Sequence, residues 1–175
     1  GLHSHALRRD YDLESTVDGL NTLLCESTNA TTFVTMFLGE LDPATRRLRF
    51  ARAGHDLPIL VSADGSVRRL EAGGLFLGMF PGLPCPVEEI TLAFGDVLCL
   101  YTDGVTEARD AKGEEFGIER LEQTLRKHRQ ETASEIGTAV RLAVEAFSGL
   151  TTQADDMTLL VLRVLPLRLL EVPDA

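Results

Sequence analysis

The chain has 175 residues, 44% of them hydrophobic, with 27 acidic against 17 basic side chains and a net charge of −10. That length and apolar content supply one sizeable core, hence one domain over residues 1–175. The acidic balance disfavours nucleic acid and anionic membrane, both of which need a basic face, so neither is expected as a partner. No run reaches the ~18 apolar residues of a membrane span, because Arg163 and Arg168 interrupt the apolar C-terminal segment. No signal-peptide pattern opens the chain. Cys25, Cys85 and Cys99 show no CxxC spacing and make an odd count, which points to reduced structural thiols and a cytoplasmic setting.

Gly1 to Arg9 reads as the tail of a helix, and His3 and His5 within it as a solvated end or a pair of metal ligands. Leu13, Val17, Leu20, Leu23 and Leu24 recur at helical spacing behind Asp12, a capping residue, and predict an amphipathic helix with one buried face. Thr32 to Leu41 and Leu48 to Ala53 alternate around the turn Asp42-Pro43-Ala44-Thr45, a hairpin. Gly54-His55-Asp56-Leu57-Pro58 breaks the pattern before a second hairpin, Ile59 to Ser62 and Val67 to Glu71, turned by Ala63-Asp64-Gly65-Ser66. His55 sits in a Gly/Pro-bounded loop of the kind that carries function, or else fixes that loop by a hydrogen bond.

Leu75 to Pro86 is an irregular connection whose apolar residues Leu75, Phe76, Leu77, Met79 and Phe80 are expected to fold back over the core. Val87 to Ala93 forms a strand, Gly95-Asp96 a tight turn, and Val97 to Thr102 a second, buried strand that must stop at Asp103-Gly104. Beyond it the period changes. Ile118, Leu121, Leu125 and His128 mark one helix, and Ile136, Val140, Ala143, Val144 and Phe147 mark another that opens on the capping-box spacing Thr132-Ala133-Ser134-Glu135 and closes at Gly149. Met157 to Val164 is a final apolar strand. Both late strands read as central, so Val97, Leu98, Leu100, Leu159, Leu160 and Val161 are expected in the core.

Asp103 ends one of these strands and Asp155-Asp156 immediately precede the other. If the two strands are antiparallel neighbours, the carboxylates meet at one edge of the sheet. Clustered carboxylates repel unless a cation lies between them, and hard divalent ions such as Mg²⁺ and Mn²⁺ need only two or three such ligands because they keep several waters. Two such ions could activate a shared water against phosphorus. The alternative is a pair of solvated turns far apart, since Asp-Gly pairs also mark ordinary turns.

The stretches Tyr101-Thr102-Asp103-Gly104-Val105-Thr106-Glu107-Ala108, Gly113-Glu114-Glu115-Phe116-Gly117, Ala53-Gly54-His55 and Asp155-Asp156-Met157-Thr158-Leu159-Leu160 resemble the PPM-type metal-dependent serine/threonine phosphatases, in their bacterial SpoIIE/RsbU-like branch. The likeness runs in order from about Thr31 to Val164. It implies an α+β fold, an α-β-β-α sandwich of two mainly antiparallel sheets flanked by helices, with a dinuclear Mn²⁺ or Mg²⁺ centre. It implies hydrolysis of phosphoserine or phosphothreonine on a bacterial regulatory protein such as an anti-sigma-factor antagonist. Carried over by position, Asp103 and Asp155 are metal ligands, and Asp156 stands where relatives carry Asn or Asp. Asp56 stands where relatives often carry Asn.

One departure bears on activity. The family's domain opens on a strand ending in an Asp-rich, Gly-rich motif whose aspartate bridges both metals, and nothing before Thr31 matches it. Asp10 and Asp12 lie on the wrong side of the first helix to replace it. The chain is therefore expected to be an N-terminally truncated or diverged domain, weakly active or inactive alone. A non-catalytic, phosphatase-like module that binds a partner stays open as the rival, as does formation of a homodimer.

Overall fold

In a computed structural model of the protein, the residues described are 12–29, 32–149 and 156–166. Along the chain they form α1 (Leu13–Ser27), β1 (Met36–Asp42), β2 (Arg47–Ala53), β3 (Ile59–Val61), β4 (Val67–Arg69), β5 (Val87–Thr91), β6 (Val97–Tyr101), α2 (Asp103–Thr106), α3 (Gly117–His128), α4 (Ala133–Ser148) and β7 (Leu159–Arg163). The expected elements at Gly1 to Arg9, with His3 and His5, lie outside the described residues. The strands make two antiparallel sheets, ordered β1-β2-β5 and β4-β3-β6-β7. That is the α+β class with two antiparallel sheets and helices that the family resemblance implies. No helix among the described residues is long and apolar enough to cross a membrane.

The chain folds as two compact units, the first comprising residues 1–56 and 71–92. Its helix α1 starts where Asp12, extended, accepts the Ser15 N–H at 3.1 Å, which satisfies an otherwise orphaned donor. Leu13 and Val17 are buried against Ala51, Ala53 and Leu77. Leu23 departs from expectation and is exposed, because a 100° step per residue carries it off the stripe that Leu13, Val17, Leu20 and Leu24 share. Buried Asn21 lies on that stripe instead, its Oδ1 accepting the Gly78 N–H at 2.8 Å and its Nδ2 donating to the Phe80 carbonyl at 2.9 Å.

Strands β1 and β2 form the expected hairpin, registered from Met36↔Ala53 to Asp42↔Arg47, and β5 adds to β2 with Ala51 opposite Val87. The hairpin is shorter at its start than the alternation predicts. Val34 instead exchanges backbone hydrogen bonds with Leu77 at 2.8–2.9 Å, so the front of the predicted strand holds the irregular connection. Within that connection only part of the apolar set folds inward. Leu77 is buried, whereas Leu75, Phe80 and Leu83 are exposed, and Phe76 lies between Phe33 and Phe80 with ring centroids 4.7 and 6.4 Å away. The loop after β2 turns at Gly54, whose φ is +64° and where a Cβ would sit 2.9 Å from the Phe76 side chain. Arg52 fastens this loop, donating to the carbonyls of His55 at 2.8 Å and Glu71 at 3.1 Å.

The second unit comprises residues 57–70 and 93–175. The second predicted hairpin forms here, as β3 and β4, in a different sheet from the first. Ile59, Val61, Val97, Cys99 and Tyr101 alternate onto one face of this sheet and pack with Leu121 and Leu125 of α3 and Ile136, Val140 and Val144 of α4. Helix α4 has the predicted capping box, with the Thr132 hydroxyl and Glu135 carboxylate each bonded to the other's backbone N–H. At the β5–β6 turn Asp96 is buried, and its carboxylate accepts the backbone N–H groups of Ala93 at 2.8 Å and Ala63 at 3.3 Å.

The expectation that both late strands are central holds for β6 and fails for β7. Strand β7 pairs with β6 alone among the described strands, Val97↔Arg163 through Tyr101↔Leu159. Leu160 is 51% exposed, Leu159 and Val161 are half-buried, and Leu100 is half-buried as well. An edge strand lacks one flanking neighbour, and the pleat sends Leu160 to the face opposite Leu159 and Val161.

Candidate metal centre

The antiparallel pairing of β6 with β7 sets the frame, because with Tyr101 opposite Leu159 the next pair along is Thr102 and Thr158. There the ladder continues through one side chain. The Thr102 N–H donates to the Thr158 carbonyl at 3.1 Å, the Thr158 N–H donates to Thr102 Oγ1 at 3.0 Å, and that hydroxyl donates to the Asp156 carbonyl at 3.3 Å. A hydroxyl can accept and donate at once, so Thr102 ties the exit of one strand to the entry of the other. The sequence signals for this site are aspartates, and Thr102 passes unmarked among them, since its role depends on partners 54 and 56 residues away.

Asp103 follows directly, and where the sequence predicts only a strand stop it opens the single-turn helix α2. Its carbonyl accepts the Glu107 N–H at 2.7 Å and its Oδ1 accepts the Gly104 N–H at 2.8 Å. Gly104 and Val105 are buried behind it, so the carboxylate is exposed on an anchored turn. Asp156 is exposed too, at the entry to β7. Of the three predicted ligands, Asp103 and Asp156 thus share one end of the β6–β7 pair, and Asp155 lies outside the described residues.

Two exposed carboxylates, one with an oxygen not engaged by Gly104, are hard oxygen donors of the kind Mg²⁺ and Mn²⁺ accept. The donor set fits such an ion in kind. Among the described residues no group of three or more His, Cys, Asp or Glu side chains is placed to hold a metal. The second unit also carries a concavity of about 370 Å³ lined by Val105, Val140, Val144, Met157 and Leu159 with Thr138 and Arg141 among its polar members, and neither Asp103 nor Asp156 lines it. His55 and Asp56 belong to the other unit, where the His55 ring Nδ1 lies 3.1 Å from the Asp56 carbonyl.

Cys25, Cys85 and Cys99 are all free thiols, as expected. Burial pushes the Cys99 thiol up to about 12 and raises that of Cys85 as well, so neither is a nucleophile near neutral pH.

The chain is 30% identical to the phosphoserine phosphatase RsbU of Bacillus subtilis over 147 residues, which is 82% of this chain and 43% of RsbU. It therefore spans less than half the length of that relative. Its fold matches the SiaA-PP2C domain of Pseudomonas aeruginosa with a TM-score of 0.78 at 24% identity, covering 92% of this chain and 64% of that one. It also matches RsbX in complex with magnesium, with a TM-score of 0.65 at 17% identity over 91% of this chain and 67% of that one. The profile of the Stage II sporulation protein E (SpoIIE) family matches residues 1–165, and the chain belongs to that family.

Proposed function

We propose that this chain is a single PPM-type catalytic domain of a serine/threonine protein phosphatase, with a divalent cation, Mn²⁺ or Mg²⁺, held by Asp103, Asp155 and Asp156. The observation that carries the reading is the Thr102 linkage, which keeps the two described carboxylates at one end of an antiparallel strand pair. Family membership supports it, as do the phosphoserine phosphatase RsbU among the relatives and the magnesium complex among the similar structures. The substrate class is a phosphoserine or phosphothreonine protein, and an anti-sigma-factor antagonist is the specific candidate. The setting proposed is the cytoplasm, where free thiols persist.

When bound, the cation supplies a water of lowered pKa and neutralises phosphate oxygens. The chain's own part is positional. Thr102 holds the Asp103 turn against the β7 entry, the Gly104 N–H fixes one carboxylate oxygen, and buried Val105 keeps the turn from swinging away.

A partner-binding module without catalysis is the second reading, favoured by one observation: among the described residues no group of three potential ligands exists. Phosphate release from a phosphoserine protein by the full-length protein, with and without Mn²⁺, separates the two. Mn²⁺-dependent release that disappears in Asp103→Asn supports the phosphatase. Absence of release at any metal concentration, with the partner still bound, supports the module.

A further inference from the structure

At the opposite end of β6 from Asp103, the second unit carries a basic concavity that the proposed phosphatase chemistry does not use. It is lined by Asp64 and Gly65 of the β3–β4 turn, by Gln123, Arg126 and Lys127 of the last turns of α3, and by Arg129 just beyond that helix. Val61 pairs with Val97, so this turn lies by the start of β6, and the five residues of the strand put roughly 17 Å between it and the Asp103 end.

Three cations thus face one carboxylate in a molecule whose net charge is −10. Five other arginines among the described residues pair with acids: Arg47 with Glu89, Arg49 with Glu40, Arg69 with Glu122, Arg109 with Glu115 and Arg141 with Glu145. Arg126, Lys127 and Arg129 make no ion pair among the described residues. The nearby acids are committed, Glu122 to Arg69 at 2.7 Å and Glu131 to His128 at 2.9 Å. Asp64, the one carboxylate in the lining, accepts the Ser66 N–H at 2.8 Å while feeling the Arg129 charge.

Complementing the α3 dipole explains cations in the last helical turn. Arg129 stands at the C-cap of the same helix and also reaches across to the hairpin. Its Nε donates to the Ala63 carbonyl at 3.2 Å and its Nη1 to the Arg126 carbonyl at 2.9 Å, so neutral acceptors hold the guanidinium in place, with Asp64 the one carboxylate of the lining near it. Gly65, at φ +90°, makes the hairpin turn against which Arg129 lies, and a Cβ there would meet the Arg129 Nε at an ordinary contact distance of 3.5 Å.

We infer that this concavity is a docking site for a short acidic segment of a partner protein, distinct from the Asp103 edge. Several cations spaced along a helix end match carboxylates spaced along a peptide, and Arg129 is pre-organised to meet one of them. Longer polyanions such as nucleic acid or an anionic membrane would meet the repulsion of the whole molecule's charge.

The test is fluorescence anisotropy of the full-length protein with a labelled peptide rich in glutamate and a matched peptide rich in lysine, at low ionic strength. The acidic peptide should bind, weaken as salt is raised, and lose at least about tenfold in affinity with Arg126→Glu plus Lys127→Glu, a pair that leaves the Arg129 bonds intact. Asp64→Asn should strengthen it and Asp103→Asn should leave it unchanged, the latter separating this site from the proposed metal centre. Equal binding of both peptides, or no loss in the double variant while its circular dichroism matches the parent's, would overturn the inference. So would displacement of the peptide by an equal concentration of inorganic phosphate, which would identify a site for a free anion.

Discussion

Thr102 and Asp103 divide the work at the residue scale. The threonine makes the geometry, since its hydroxyl and backbone join the two strands, and the aspartate presents the charge. Thr102→Val keeps the shape but removes the hydroxyl's bonds to Thr158 and Asp156, and should cost about 1–3 kcal/mol at two bonds of roughly 0.5–1.5 kcal/mol each. Chemical denaturation measures it. Asp103→Asn alters an exposed side chain and should shift stability by no more than about 0.5 kcal/mol, so any loss of turnover it causes would not be a loss of fold. Asp103 was legible in the sequence because an aspartate closing an apolar strand is conspicuous. Thr102, Asn21 and Asp96 were not, since what makes each matter is a partner distant in the chain.

Cys99 supports a separate residue-scale prediction. Its folded pKa, about 12, lies above the ordinary thiol value of 9.0 because burial disfavours the thiolate. A raised acid pKa contributes stability that is fully present below the unfolded value and declines as pH rises from there toward the folded one. Iodoacetamide at pH 8, read by mass spectrometry, should therefore modify half-buried Cys25 well before Cys99, which should react only on unfolding. Labelling of the two at one rate would contradict the burial of β6.

The element scale shows where periodicity succeeds and where it stops. Helices α1, α3 and α4 follow their apolar spacing, and α4 its capping box, because these signals act within a few residues. Strand position is a long-range property: the run Met157 to Val164 reads as a core strand from composition, yet among the described strands β7 stands at an edge. Accordingly Leu121→Ala, at a fully buried position of α3, should cost about 2–5 kcal/mol, and Leu160→Ala less than about 1 kcal/mol because half of that side chain is already in water. Equal losses in thermal unfolding would mean that β7 is covered on both sides.

The α4 cap carries a pH dependence of definite sign. Hydrogen bonds from the Thr132 backbone and hydroxyl hold the Glu135 carboxyl below its ordinary value. A depressed folded pKa gives stability that is present above the unfolded value, near 4.5, and lost as pH falls through the folded one. Melts from pH 7 down to 3 should lose a contribution that Glu135→Gln has already lost, so the two proteins should converge in acid. A gap that stays constant across that range would exclude the cap as its source.

For the whole molecule, antiparallel strands followed by helices are legible in alternating runs separated by turns and then helical periods, while the division into two sheets was implied by the family resemblance. Which hairpin joins which sheet was not legible, because β3 and β4 follow β1 and β2 directly in the chain yet pair in another sheet with β6. The net charge of −10 adds a functional consequence, since an acidic molecule attracts divalent cations in general, and weak nonspecific binding must be separated from binding at the β6–β7 end. The separating measurement is electron paramagnetic resonance of free aqueous Mn²⁺ titrated with the full-length protein and with its Asp103→Asn form. The parent should remove Mn²⁺ from the free signal, and Asp103→Asn, which changes the charge of the molecule by one unit, should return most of it. The same bound fraction in both proteins would show that Asp103 holds no cation and would contradict the account at its centre.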